Sequence, residues 1–162
     1  MKISEHERFW RYVVKGPGVE DCWLWTGAVS DEGYGRFWIS VDGTGQRAVR
    51  PPQYAYQEMT GRVLPSSTLL LHACDVPLCV HVDPDPLQSH VTPGTHPENM
   101  LDRSSKGRHV NRWTVARYRG LPRSDRVRGS RALRDAVRDH GWDADFIRDA
   151  FNGIGPDQPP LW

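Results

Sequence analysis

The sequence predicts an α+β fold, and three observations carry that prediction. Aromatic and β-branched stretches between Cys22 and Arg50 are punctuated by glycine turns, the pattern of a small antiparallel sheet. An apolar run, Leu69-Leu70-Leu71, ends on His72 and opens a loop rich in cysteine and histidine. That loop leads back through a short strand to a helix near residue 96, and a basic, helix-forming extension follows.

The elements can be placed in order. Ser4 and Glu7 have capping-box spacing, so a helix is expected from about Glu5 to Val14, ended by Gly16-Pro17-Gly18. Cys22 to Thr26 reads as a strand. Ser30-Asp31-Glu32-Gly33 turns into a second strand, Tyr34 to Val41, and Asp42 to Gly45 turns into a third, Gln46 to Arg50. Together these form a small antiparallel meander whose Trp23, Trp25, Phe37 and Trp38 serve as scaffold. Pro51-Pro52 breaks the chain, and Gln53 to Thr60 reads as a helix closed by Gly61. Thr95-His96-Pro97-Glu98 repeats the capping pattern, so a helix should run from about His96 to Lys106 with Asn99 in its first turns. Apolar positions from Ser130 to Phe151 suggest two short helices broken at Gly141. Residues 1–108 form the expected core with its N-terminal helix and sheet. Residues 109–162 form an Arg-rich linker and helical extension.

Composition excludes several classes. The mean hydropathy is −0.63, and no apolar run approaches the roughly 18 residues a membrane span needs. The N-terminus, MKISEHERFWRY, is charged and lacks the apolar stretch of a signal peptide. A cytoplasmic protein with no membrane partner is expected. A net charge of +1 conceals an asymmetry: twelve of the 21 basic residues lie between Arg103 and Arg138, opposed there only by Asp125 and Asp135. Such a block is often just a solvated face. Eleven of the twelve are arginine, whose planar fork suits phosphate, so a phosphate-tracking arm is the functional reading.

Three cysteines make an odd count, against a disulfide framework in a reducing compartment. A cysteine is commonly just a small buried residue. Here Cys74 and Cys79 sit five apart beside histidines in a Pro-rich loop, which favours a metal. Structural zinc is held by four Cys or His ligands. Cys74, Cys79 and His90 supply three, and Cys22 would complete a Cys3His set; His81 is the rival for the fourth place. His72, after three leucines, could be a satisfied core histidine. As a neutral imidazole it could equally act as a general base on water. Asn99 could hydrogen-bond locally at a helix start. It could also offer an oxygen to a hard divalent cation such as Mg2+.

The ordered residues Leu71-His72-Ala73-Cys74-Asp75-Val76-Pro77-Leu78-Cys79-Val80, followed by His90 to Asn99 with Gly94-Thr95, resemble the HNH (ββα-metal) endonucleases. The likeness is to their zinc-stabilised His-Cys box, homing-type branch, and the stretch Cys22 to Ala28 with Gly33 to Phe37 is similar to that of phage and bacterial HNH proteins. The resemblance spans residues 20–108. It implies a zinc-stabilised ββα-metal core in which His72 is the base that activates water. Asn99 would hold the catalytic Mg2+, and Cys22, Cys74, Cys79 and His90 would bind structural zinc. It also implies an arginine from the sheet on the scissile phosphate, with Arg47 the candidate and Arg36 and Arg50 behind it. Arg103, Lys106, Arg108 and Arg112 would add contacts to double-stranded DNA. The interval from Cys79 to His90 departs from the family pattern by an insertion around Val82–Ser89. Asparagines usual in this loop are replaced by Val76 and His81.

The activity so implied is DNA cleavage by metal-assisted phosphodiester hydrolysis, of homing or restriction type. A homodimer would cut both strands, and a single site would nick. The alternative is a zinc-stabilised DNA-binding module without catalysis.

Overall fold

The computed structural model describes residues 3–65, 67–74, 76–95, 97, 98, 101 and 123–151, which form a mixed α/β structure with three two-stranded antiparallel sheets. Helix α1 (Glu5–Trp10) starts at the expected capping box, with the Glu7 amide donating to Ser4 Oγ at 3.1 Å and the Ser4 amide to Glu7 Oε2 at 2.9 Å. It is shorter than expected. Val13 and Val14 leave it for strand β1 (Val13–Lys15), which pairs with β2 (Trp23–Trp25) in the register Val13↔Trp25 and Lys15↔Trp23. β-Branched side chains fit a pleated surface better than a helix end, and a distant partner strand supplies the pairing.

The expected single meander does not form. β2 has β1 on one side and the Cys-bearing loop on the other: the Trp25 amide donates to the Leu78 carbonyl, and the Val80 amide to that of Trp23, both at 2.8 Å. An isolated bridge between Leu24 and Cys79 lies between them. Among the described residues strands β3 (Phe37–Val41) and β4 (Gly45–Val49) pair with each other alone, as a hairpin with Phe37↔Val49 and Ile39↔Arg47 opposite. Trp38 is accordingly 44% exposed rather than scaffold.

Helix α2 (Pro51–Thr60) takes Pro51 and Pro52 into its first turn instead of starting after them. Proline lacks an N–H that the first helical turn leaves unused anyway. Gly61, at φ 68°, closes the helix as expected. Strands β5 (Leu69–His72) and β6 (Val91–Gly94) pair with His72 opposite Val91. After β6 the second capping box is present: the Thr95 amide donates to Glu98 Oε2 at 2.6 Å, and Pro97, Glu98 and Leu101 are helical.

Helix α3 (Arg123–His140) begins seven residues earlier than the apolar pattern suggests, in what reads as linker. Gly141, at φ 86°, separates it from α4 (Ala144–Phe151), as expected. Leu133 and Val137 of α3 join the main buried cluster, alongside Phe9, Leu24, Trp25, Phe37 and the loop residues Val76, Leu78, Val80 and Val82. The centre of that cluster is aromatic: Phe9 stacks on Trp25 at 5.3 Å and meets Phe37 edge-on at 5.1 Å. Among the described residues no helix is long and apolar enough to cross a membrane.

Candidate metal centre

Four side chains from distant parts of the chain converge beneath the β5–β6 hairpin. Cys22 precedes β2, Cys74 follows β5, Cys79 lies in the loop bridged to β2, and His90 precedes β6. Their ligand atoms all lie within 4.8 Å of one another. His90 Nδ1 is 3.6 Å from both Cys22 Sγ and Cys79 Sγ. A tetrahedral ion with Zn–S of about 2.3 Å and Zn–N of about 2.0–2.1 Å sets sulfur and nitrogen ligands about 3.6 Å apart. The two His90–sulfur separations match that spacing, and the Cys3His donor set is consistent with structural zinc.

Backbone pairing explains the convergence. The Leu24–Cys79 bridge brings Cys79 beside the strand that follows Cys22, and the Ala73 amide donates to the His90 carbonyl at 2.8 Å. Electrostatics points the same way. Hydrogen bonds from Cys22 and Cys79 hold the Cys74 thiol well below its ordinary value. Donating to Cys74 pushes Cys22 up to about 12, and burial pushes Cys79 well above the ordinary range. Crowded thiolates repel, so two of the three sulfurs hold their protons, and a bound cation would let all three be thiolates.

Cys22, rather than its rival His81, stands as the fourth member of the convergent set. His81 is 4% exposed, and its Nδ1 donates to the Asp21 carbonyl at 2.8 Å. Its ring lies flat on Trp23, at 4.4 Å between centroids and 8° between planes, and against His90 at 4.3 Å. Burial lowers its basicity, and its ring backs His90 of the candidate set. Its backbone N–H also points at Cys79 Sγ, at 3.5 Å. Sequence reasoning missed this supporting role, and the only signal was the aromatic residue directly after Cys22. It also missed Trp142, whose indole N–H donates to the Cys22 carbonyl at 3.0 Å from 120 residues away.

His72 ends β5 as expected, two residues before Cys74 of the candidate set. Asn99, Arg103, Lys106, Arg108 and Arg112 lie outside the described residues. The three candidate arginines, Arg47 within the hairpin and Arg36 and Arg50 at its base, separate into two clefts. Arg47 lines one of about 150 Å3 with Ile39, Gln53, Tyr54 and Gln57 of the hairpin and α2. Arg36 and Arg50 line another of about 240 Å3 with Tyr34 and Ala48.

Two curated relatives, both from Escherichia phage T7, are similar to this chain. Protein 7.7 is 37% identical over 92 residues, covering 57% of this chain and 62% of its own length. Protein 2.8 is 36% identical over 87 residues, covering 54% of this chain and 52% of its own. The chain thus spans only part of the length of either relative. No family model and no solved structure matches it.

Proposed function

We propose that the chain is a zinc-stapled, HNH-type DNA endonuclease that hydrolyses phosphodiester bonds. One observation carries the reading: a β-hairpin bearing His72 at its turn-side end is followed by a capped helix start and anchored by a Cys3His cluster. Pairing and capping support the reading that the resemblance suggests. Zinc fixes the loop between His72 and His90 and takes no part in the chemistry. His72, at the end of β5, is the base that takes a proton from water. A divalent cation at Asn99, when bound, supplies Lewis-acid stabilisation of charge on the phosphate and the leaving oxygen.

The β3–β4 hairpin supports a duplex as the substrate. A two-stranded ribbon is narrow enough for the major groove. Trp38, Ser40, Gln46 and Ala48 share one of its faces, between the exposed Arg36 and Arg50, and all are exposed. The T7 relatives fit a phage-encoded protein at work in a bacterial cytoplasm. The second reading is a zinc-stabilised DNA-binding module without catalysis, and it draws on the place of His72 two residues before Cys74, inside the loop that the Cys3His set staples.

Plasmid cleavage in Mg2+ separates the two. Parent protein that cuts, with His72→Ala and Asn99→Ala inert at matched zinc content, supports the nuclease. Duplex binding without cutting by the parent supports the binding module.

A further inference from the structure

The tight turn Ser30–Gly33 gathers arginines from two separate elements. It is closed by the Gly33 amide on the Ser30 carbonyl at 3.0 Å, with Gly33 at φ 86°. From α3, Arg123 Nε donates to the Asp31 carbonyl at 2.8 Å, and Arg131 lies 3.6 Å from the Asp31 carboxylate. From the end of β4, Arg50 lies 3.5 Å from the Glu32 carboxylate and stacks over the Tyr34 ring at 4.6 Å. Arg36 lines the same cleft as Glu32, Tyr34 and Arg50, and makes no side-chain ion pair or hydrogen bond among the described residues.

Both carboxylates are open to water, with side chains 93% exposed at Asp31 and 56% at Glu32. Exposed ion pairs contribute little to stability, because solvent screens them and the long side chains lose freedom. These pairs therefore do little to hold the fold. What they do is aim guanidinium groups from the hairpin and from α3 at one small region of surface. A carboxylate and a phosphate present the same paired oxygens to an arginine fork, and phosphate presents more charge.

We propose that Asp31 and Glu32 are stand-ins for DNA phosphates: in the free protein they hold Arg131 and Arg50 in place, and a duplex backbone takes those arginines over on binding. The proposal rests on the DNA-directed reading of the chain and specifies how that face is regulated. It makes α3 part of the binding surface rather than a separate arm. The two carboxylates then act as a built-in brake, since any phosphate must displace them and approach their negative charge. Sequences bound only through backbone contacts lose most from such a brake, so it sharpens discrimination against non-specific DNA.

The test is binding of a fluorescently labelled random-sequence duplex by the full-length zinc-loaded protein, in EDTA-free buffer without Mg2+, across salt from about 50 to 200 mM. Asp31→Asn and Glu32→Gln should each bind about threefold tighter or better. Asp145→Asn, which makes the same change in net charge on α4, should bind like the parent. Arg131→Gln and Arg50→Gln should bind more weakly, each lowering the salt slope by about 1. Thermal melts confirm that each variant is folded. Affinities of Asp31→Asn and Glu32→Gln that equal the parent, fall below it, or match Asp145→Asn overturn the proposal while leaving the function standing. A folded parent that binds no duplex overturns both.

Discussion

The indole N–H of Trp142, just after α3, donates to the backbone carbonyl of Cys22, tying the C-terminal helices to the first ligand of the metal centre. The same ring packs where a side chain on Gly16 would have to stand, 2.9 Å from a Cβ built there. Trp142→Phe keeps the packing and loses the hydrogen bond, and should cost about 1 kcal/mol in urea unfolding. Trp142→Ala should cost about 2 kcal/mol, less than truncating a fully buried aromatic, because the ring is only partly covered. Both should loosen metal binding as well, since the Cys22 backbone loses a fixed neighbour.

His81 makes a sharper test of what supports the metal. It backs His90 by ring contact and Cys79 by its backbone N–H, so removal of the ring should free His90 to move. His81→Ala is expected to weaken zinc retention about tenfold against a competing chelator. His81→Phe, which keeps the stack on Trp23 but not the bond to Asp21, should lose less. Equal losses in the two variants would assign the effect to the Asp21 hydrogen bond instead.

How much of this could be read beforehand depends on how local each cause is. The capping boxes at Ser4 and Thr95, the stop at Gly61 and the break at Gly141 rest on a few adjacent residues, and all are present. Cys74, Cys79 and His90 were legible from spacing, and Cys22 because it was the one cysteine remaining. Strand β1 was not legible, because Val13 and Val14 take their conformation from Trp23–Trp25 across a turn. Nor was the start of α3, where only Val127 is apolar in a run of arginine, serine and aspartate. The division of Arg47 from Arg36 and Arg50 follows from strand register, to which composition is blind.

Gly35 sits where the fold leaves no room. A Cβ there would stand 2.7 Å from both Trp25 Cδ1 and Pro51 Cγ, one a fully buried ring and the other locked in the first turn of α2. Neither neighbour can swing aside, so Gly35→Ala should destabilise by about 1–3 kcal/mol, read as a lower midpoint in denaturant. Gly94→Ala meets the flexible Leu71 side chain at 2.6 Å, which can rotate, and should be milder.

Tyr54 gives the fold a dependence on alkaline pH. Its hydroxyl is pushed up to about 12, first by burial and then by the carboxylates of Glu58 and Glu5. The folded protein therefore holds this proton more tightly than the unfolded chain, where tyrosine titrates near 10. Above pH 10 the unfolded state binds fewer protons than the native one, so stability falls as pH rises. The contribution is complete below about pH 10 and is lost progressively toward pH 12. Partial exposure of the ring moderates its size. Tyr54→Phe removes the titrating group, and should flatten the decline in unfolding midpoint between pH 9.5 and 12 on the ~10-to-12 scale set by these values. An unchanged decline in Tyr54→Phe would place the alkaline sensitivity in other groups.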